Sequence, residues 1–240
     1  VALNPVMQCN ACPSCMRGEF NECEHVQTLG VSVDGCFAEY VKVKYTHAYK
    51  ISDDISFEEG ALAEPLACAT YGVKRLDIKM GQTVVIFGTG TIGLMQVQLC
   101  KAAGAGKIIA IGIEDFGLSK ALEVGANYAI NSMVKDSPYY AEDIVAKVKE
   151  LNNGYLAPRC IVPTSAMPAL QQALTVTGAH STIVYFGLPG EKDMLQVPVL
   201  DAIQSDRTLK FSWLAPLVWD NVFNLIAAKK VNLAALTTHK

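Results

Sequence analysis

Four cysteines near the start of the chain form the clearest chemical pattern in this sequence. The chain reads Cys-Asn-Ala-Cys-Pro-Ser-Cys, with a fourth cysteine after seven further residues. The four positions are Cys9, Cys12, Cys15 and Cys23. Thiolates this close together can form a tetrahedral shell around one zinc ion. Because such a shell leaves no open position, the predicted zinc is structural and not catalytic. Four unrelated thiols, or two disulfides, are the alternatives.

A glycine-rich segment predicts a dinucleotide-binding turn. Gly-Thr-Gly-Thr-Ile-Gly follows the apolar run of residues 83–87 and opens a segment with helical spacing, which is the context that this fingerprint requires. The first glycine permits a tight turn, the second admits a pyrophosphate, and the third lets the helix pack close to the strand. The first N–H groups of the helix would bind the phosphates. The residues are Gly88, Thr89, Gly90, Thr91, Ile92 and Gly93. A glycine-rich turn without a ligand is the alternative.

The second half of that fingerprint, an acidic residue that binds the ribose 2′-hydroxyl, is missing from its usual place. The second apolar run ends at Ile111, and Gly112 follows it, with Glu114 and Asp115 shortly after. A glycine there removes the carboxylate that repels a 2′-phosphate, which favours NADP. However, no arginine is near to bind a phosphate, and Glu114 could reach the ribose instead. On these charges we predict NAD in preference to NADP.

The composition is that of a globular protein with a sizeable core. The 240 residues are 51% hydrophobic and 18% charged, and the net charge is −3, which gives no basic surface for nucleic acid. No apolar run approaches the roughly 18 residues that span a bilayer, and the chain does not open with a signal peptide. The remaining cysteines, Cys36, Cys68, Cys100 and Cys160, are scattered through apolar stretches. Together with four metal-bound thiolates they indicate a reducing cytoplasm.

From residue 81 onward, short apolar runs alternate with segments of helical periodicity. This alternation predicts βαβ units and an α/β fold with a doubly wound parallel sheet. Residues 1–29 lack periodicity and are predicted to be a metal-bound loop. Residues 37–44 alternate between apolar and polar side chains, which predicts a half-buried strand. Ser56 and Glu59 predict a capping box at the start of a helix.

The order of these motifs resembles the zinc-containing medium-chain dehydrogenases. The motifs are the four-cysteine loop, a Phe-Ala-Glu-Tyr segment, a Glu-Pro pair and then the glycine-rich turn. The chain is most similar to the polyol branch, which includes sorbitol, butanediol and threonine dehydrogenases. The resemblance implies a GroES-like catalytic domain around a Rossmann domain. Residues 1–64 would then be a partial catalytic domain with the zinc loop, 65–213 the Rossmann domain, and 214–240 a segment that returns toward the catalytic domain.

The resemblance also implies roles for particular residues. Glu64, which precedes Pro65, falls where the family places a protein group beside a catalytic zinc. Phe186, Gly187 and Leu188 fall where the family places backbone near the nicotinamide. The implied reaction is hydride transfer between a secondary alcohol, a polyol in this branch, and a nicotinamide cofactor. The implied protein is a cytoplasmic homo-oligomer, either a dimer or a tetramer.

One departure from the family concerns the other ligands of the catalytic zinc. In the family these are a cysteine and a His-Glu pair upstream of the cysteine loop, and no His-Glu pair occurs in this chain. The C-terminal segment of the family is also missing beyond Lys240. We therefore expect the chain to be incomplete at both ends and inactive by itself, with catalytic zinc present only in the intact protein. A zinc-free quinone or enoyl reductase and a non-catalytic nucleotide-binding relative are the alternatives.

Overall fold

The structure is a computed structural model that describes residues 1–238, and its contacts divide the chain into two compact units. The first, here called the cysteine-loop unit, contains residues 1–71 and 213–229. The second, the sheet unit, contains residues 72–212 and the chain from 230 onward. The assignment of domain roles to residues 1–64, 65–213 and 214–240 stays a prediction, and its last two residues lie outside the described part.

Short elements make up most of the cysteine-loop unit. They are β1 (Ala2–Leu3), β2 (Val6–Met7), α1 (Pro13–Met16), β3 (Gln27–Thr28), β4 (Ala48–Tyr49), α2 (Phe57–Ala61) and the first part of α3 (Ala63–Leu76). Single 3₁₀ turns occur at Phe20–Glu22 and Tyr45–His47. Strand β1 pairs with β4 and β2 pairs with β3, both antiparallel. The predicted capping box is confirmed: the Ser56 N–H donates to the Glu59 carboxylate at 3.0 Å, and the Glu59 N–H donates to Ser56 Oγ at 3.2 Å.

The strand predicted for residues 37–44 is wrong, because this segment forms neither strand nor helix. Phe37 and Val41, which the alternating pattern would place on the same buried face, are exposed. Alternation favours a strand only where a neighbouring strand supplies hydrogen bonds and a surface covers the apolar face. Within residues 1–238 no strand pairs with this segment, so the pattern has nothing to pack against.

The sheet unit is an alternation of strands and helices. Its elements are β5 (Thr83–Phe87), α4 (Thr91–Ala102), β6 (Lys107–Gly112), α5 (Asp115–Val124), β7 (Tyr128–Asn131), α6 (Ile144–Leu151), β8 (Ala157–Val162), α7 (Met167–Gln172), β9 (Thr177–Tyr185), α8 (Val199–Gln204) and β10 (Thr208–Phe211). All neighbouring strands are parallel. The predicted α/β fold with a parallel, doubly wound sheet is therefore confirmed. Helix α9 (Trp219–Ala227) follows in the cysteine-loop unit, and a 3₁₀ turn at Ala234–Leu236 ends the regular structure of the described residues.

The strand order places a ligand-binding crevice at one edge of this sheet. The order is β10-β9-β8-β5-β6-β7, so the chain runs outward from β5 to β7 and then returns to β8 on the other side of β5. The strands are apolar on both faces, and Val85, Ile109 and Ile183 are fully buried, as expected for a parallel sheet covered by helices. Ligands bind such sheets at the carboxyl ends of the strands, where the order reverses. Here that point lies at the ends of β5 and β8.

Among residues 1–238, every helix is too short or too polar to cross a lipid bilayer.

Candidate cofactor and metal sites

The four predicted metal ligands lie together in the cysteine-loop unit. The sulfur atoms of Cys9, Cys12, Cys15 and Cys23 are all within 4.8 Å of one another. The single turn of α1, with Pro13 at its first position, carries Cys15 back toward Cys12 and Cys9. All but Cys9, which is half-buried, are buried, and all are thiols without a disulfide. Four sulfur ligands at this separation fit a tetrahedral zinc ion.

Backbone N–H groups donate hydrogen bonds to several of these sulfur atoms. The N–H of Cys12 donates to Cys9 Sγ at 3.3 Å, and the N–H groups of Cys9 and His25 donate to Cys23 Sγ at 3.3 and 3.4 Å. Backbone hydrogen bonds from Cys15 and Glu24 lower the pKa of Cys12 to about 6. Burial, by contrast, raises the pKa of Cys15 to about 12. Because hydrogen bonds to a thiolate favour the charged form, the loop is arranged for a cation among its sulfur atoms.

The glycine-rich turn lies at the switch point of the sheet. Gly88 has φ of +113°, and a side chain on Gly93 would collide with the carbonyl group of Gly88. The third glycine therefore does what the sequence predicted, which is to let α4 start against the end of β5. A Cβ on Gly90 would meet no described atom within 4 Å, and no side chain caps α4, at whose start Thr91 and Ile92 lie. This leaves open space beside the free N–H groups of a helix, which fits a pyrophosphate.

Two other strand ends adjoin this turn. A Cβ on Gly88 would lie 3.2 Å from Cβ of Thr164, in the loop after β8. A side chain on Gly187 would collide with the Thr164 carbonyl group, so only glycine fits there. The N–H groups of Phe186 and Gly187 donate to the Val162 carbonyl oxygen at 3.1 and 3.0 Å. The structure thus brings the predicted phosphate-binding turn and the predicted nicotinamide segment to the same edge of the sheet.

Exposed Leu188 follows this segment.

The acidic residues after β6 differ in their surroundings. Asp115 Oδ1 accepts hydrogen bonds from Asn131 Nδ2 at 2.9 Å and from Ser137 Oγ at 2.5 Å. These bonds connect the start of α5 to Asn131 at the end of β7 and to Ser137 in the segment that follows it. Glu114, which precedes α5, is exposed and has no side-chain partner within residues 1–238. Of the two, Glu114 is the carboxylate without a side-chain partner within residues 1–238.

Glu64 lies in the first turn of α3 and lines a cavity of about 290 Å³ in the cysteine-loop unit. The Cys68 thiol, one helical turn later, donates to Glu64 Oε1 at 3.4 Å. Burial, and next the charge of Glu64, raise the pKa of Cys68 to about 12, so Cys68 remains a neutral donor. The other polar groups of the lining are Asn4, Gln8, Asn21, Asp220 and Asn221, and the aromatic ones are Phe20, Tyr49 and Trp219.

The aromatic side of this cavity was not predicted. The rings of Tyr49 and Trp219 stack with centroids 5.1 Å apart and an angle of 12° between their planes. The two residues come from β4 and α9, far apart in the sequence, and neither carries a local signal of the contact. Within residues 1–238, the four cysteines are the one group of at least three His, Cys, Asp or Glu side chains placed to share a metal. Glu64 belongs to no such group.

We expect Cys12→Ser to release zinc from the protein. Purified chain should contain one zinc, and the variant less than a tenth of that amount, because a hydroxyl does not replace a thiolate in this shell. Metal content would be measured by inductively coupled plasma mass spectrometry. Cys36→Ser, which alters an exposed cysteine outside the cluster, is the matched control and should keep its zinc. Full zinc occupancy in Cys12→Ser would contradict this site.

Two known protein families match long segments of this chain. Residues 91–228 match the zinc-binding dehydrogenase family and residues 1–53 match the alcohol dehydrogenase GroES-like domain. The sorbitol dehydrogenase of Bacillus subtilis (strain 168) is 32% identical over 202 residues, which cover 83% of this chain and 55% of that protein.

Two solved structures are similar over most of the chain. One is described as a zinc-binding dehydrogenase from Sinorhizobium meliloti 1021 bound to NADP, with a TM-score of 0.87 and 28% identity over 96% of this chain and 66% of that one. The other is a short chain alcohol dehydrogenase from E. coli CFT073 complexed with NADH, with a TM-score of 0.87 and 25% identity over 99% and 67%. The chain therefore spans between 55% and 67% of the length of these proteins. With more than half of its residues matched to one family, the chain belongs to the zinc-binding dehydrogenases.

Proposed function

We propose that the protein oxidises a secondary alcohol, a polyol, to a ketone and transfers the hydride to a nicotinamide cofactor, and that it also catalyses the reverse reaction. The observation that carries this proposal is the position of Glu64 in a cavity lined by amides, a second carboxylate and aromatic rings. The similarity to a sorbitol dehydrogenase supports it. Membership of a zinc-binding family and the four-cysteine cluster argue against a zinc-free reductase.

The lining of the cavity suits a polyhydroxylated substrate. The amide of Asn21 can both donate and accept hydrogen bonds, and the carboxylates of Asp220 and Glu64 can accept them from the hydroxyls of a polyol. The stacked rings of Tyr49 and Trp219 offer an apolar face to the C–H groups of the same molecule. A few convergent polar groups in a partly apolar cavity are typical of small-molecule sites.

We propose that Glu64 lies beside the reacting hydroxyl. The Cys68 thiol fixes one carboxylate oxygen, which leaves the other free to accept a hydrogen bond from the substrate. A zinc ion at this point would polarise the alcohol oxygen and lower its pKa. An open zinc site needs about three protein ligands, and within residues 1–238 no group of three His, Cys, Asp or Glu side chains placed to share a metal includes Glu64. We therefore assign no step to a metal at Glu64 and place the zinc of this chain at the four cysteines.

The cofactor would be held at the edge of the sheet. We propose that the N–H groups at the start of α4, in the turn from Gly88 to Gly93, bind its pyrophosphate, and that backbone at Phe186 and Gly187 lies near the nicotinamide. The open space beside Gly90 supports this placement. We propose NAD in preference to NADP, since the exposed carboxylate of Glu114 would repel a 2′-phosphate.

The protein is also proposed to be a cytoplasmic homo-oligomer. Cys100 and Cys160 are fully buried thiols, which suits a reducing compartment. Strand β10 lies at one end of the sheet order, and within residues 1–238 it pairs with β9 alone. Leu200, Ile203 and Phe211, on or near this edge, are 66 to 71% exposed. An open edge with apolar neighbours is suited to pairing with a second copy of the chain across a two-fold axis.

We expect NADH to bind more tightly than NADPH, and we expect Glu114→Gln to narrow that difference. The substitution removes the charge that repels the 2′-phosphate and keeps the size of the side chain. Dissociation constants for both cofactors would be measured by isothermal titration calorimetry. Glu123→Gln, farther along α5, is the control and should leave the ratio unchanged. A wild-type protein that binds NADPH about tenfold more tightly, or 1.4 kcal/mol, would reverse the assignment.

Glu64→Gln should lower kcat/KM for polyols by about 100-fold, because the amide cannot accept the proton of the reacting hydroxyl as a carboxylate does. The measurement uses the protein as its gene encodes it, with sorbitol and other polyols as substrates. Affinity for NADH should change by less than about twofold, because no residue of the phosphate turn is altered. Glu58→Gln, an exposed glutamate of α2, is the matched control. Unchanged turnover in Glu64→Gln would place the reacting alcohol elsewhere.

Ile203→Glu should dissociate the oligomer, since it puts a charge into the apolar surface beside β10. Light scattering coupled to size-exclusion chromatography would give the mass of each variant. Met80→Glu replaces another exposed apolar residue, away from β10 in the sequence, and should keep the wild-type mass. A monomeric wild-type protein would contradict the proposal, as would an Ile203→Glu variant of unaltered mass.

A further inference from the structure

The side chain of Thr89 fills the space beside Gly112 that a side chain at the end of β6 would otherwise occupy. In the usual fingerprint, the acidic side chain at this strand end binds the ribose of the cofactor. Thr89 stands between the first two glycines of the phosphate turn. A Cβ added to Gly112, at the end of β6, would lie 2.7 Å from Thr89 Oγ1 and 3.4 Å from Thr89 Cγ2. The first of these separations is shorter than Cβ atoms tolerate in proteins. Any side chain at position 112 therefore requires Thr89 to move.

A second glycine borders the same threonine. Gly117 is buried in the first part of α5, and a Cβ there would lie 2.8 Å from the carbonyl oxygen of Thr89 and closer still to its hydroxyl. The contact with a backbone carbonyl means that rotation of the threonine side chain alone cannot make room. Thr89 therefore fits against two glycines, Gly112 at the end of β6 and Gly117 in α5, neither of which has a side chain that would collide with it.

The hydroxyl of Thr89 is left available by the protein. Thr89 is half-buried, and within residues 1–238 its Oγ1 has no hydrogen-bond partner. The Asp115 carboxylate is already used for structure, because Asn131 and Ser137 both donate to its Oδ1. The groups near this point that have no side-chain partner within residues 1–238 are the neutral hydroxyl of Thr89 and the exposed carboxylate of Glu114.

We propose that Thr89 is a specificity-determining residue that binds the adenosine ribose in place of the usual strand-end carboxylate. The inference rests on the proposed use of a nicotinamide dinucleotide. The Thr89 hydroxyl accepts or donates a hydrogen bond at the ribose 2′-oxygen, while its methyl and hydroxyl groups together exclude a side chain at positions 112 and 117. Because a hydroxyl does not repel a 2′-phosphate as a carboxylate does, discrimination against that phosphate is left to Glu114.

Two substitutions of Thr89 distinguish the effect of its hydroxyl group on ribose binding from the effect of its side-chain volume. ADP-ribose and 2′-phospho-ADP-ribose are the probes, since both lack the nicotinamide, and binding is measured by calorimetry on the whole chain. Thr89→Val keeps the shape and loses the hydroxyl, so it should weaken ADP-ribose binding about fivefold. Thr89→Ser keeps the hydroxyl and should stay within about twofold of wild type.

A carboxylate at position 112 tests the bulk. Gly112→Asp alone should weaken ADP-ribose binding about tenfold, because it displaces Thr89. Adding Thr89→Ala should restore wild-type affinity or better and make 2′-phospho-ADP-ribose bind at least about tenfold more weakly than ADP-ribose. Adding Thr89→Val should not restore binding, since valine fills the same space.

The outcomes are decisive in either direction. Wild-type affinity in Thr89→Val would overturn the role of the hydroxyl, and tight, selective ADP-ribose binding by Gly112→Asp alone would overturn the role of its bulk. If Gly112→Asp does not fold, the comparison of Thr89→Val with Thr89→Ser still decides the first point. A wild-type chain that binds neither ADP-ribose nor NADH would contradict the proposed function itself. If the wild-type chain binds ADP-ribose tightly but the effects of the substitutions at positions 89 and 112 on the binding free energy simply add, only the Thr89 inference is contradicted.

Discussion

Helix α4 can begin against the end of β5 only because Gly93 has no side chain, and the functional edge of the sheet depends on this contact. A methyl group there would collide with the Gly88 carbonyl group. A second contact of this kind occurs at Gly187, where a side chain would collide with the carbonyl group of Thr164. These close backbone contacts hold the ends of β5, β8 and β9 together while leaving the first N–H groups of α4 uncapped. A larger side chain at either glycine would separate the strand ends and remove the geometry that an anion requires.

The cysteine-loop unit is held together by different means. Its strands are only two residues long, and the local core around the loop consists of Cys12, Cys15 and Cys23 with Phe20 packed against them. Such a core has little apolar area, and small cores of this kind depend on metals or disulfides for stability. A zinc ion bound by the four thiolates would link metal binding to folding. Since the ligands must lose their protons, acid favours release of the metal.

Three carboxylates illustrate how surroundings divide roles between similar side chains. Asp115 is used for structure, because Asn131 and Ser137 both donate to one of its oxygens. Glu114, its neighbour in sequence, is exposed and has no such partner among the described residues 1–238. Glu64 receives a single hydrogen bond from a neutral thiol and lines a cavity. The number of donors that each carboxylate meets, more than its position in a motif, decides whether it is available to a ligand.

Local spacing in the sequence was sufficient to predict the α/β sheet, the glycine turn and the capping box, because each depends on residues only a few positions apart. The fit of Thr89 against Gly112 could not be predicted in this way, nor could the stack of Tyr49 on Trp219, since these contacts join distant segments. Residues 37–44 have the alternating pattern of a strand, but no strand in the described part of the chain, residues 1–238, pairs with them. The sequence by itself determined the local conformations and the types of chemical group, whereas only the tertiary structure decided which groups meet, because packing and pairing are properties of segments far apart along the chain.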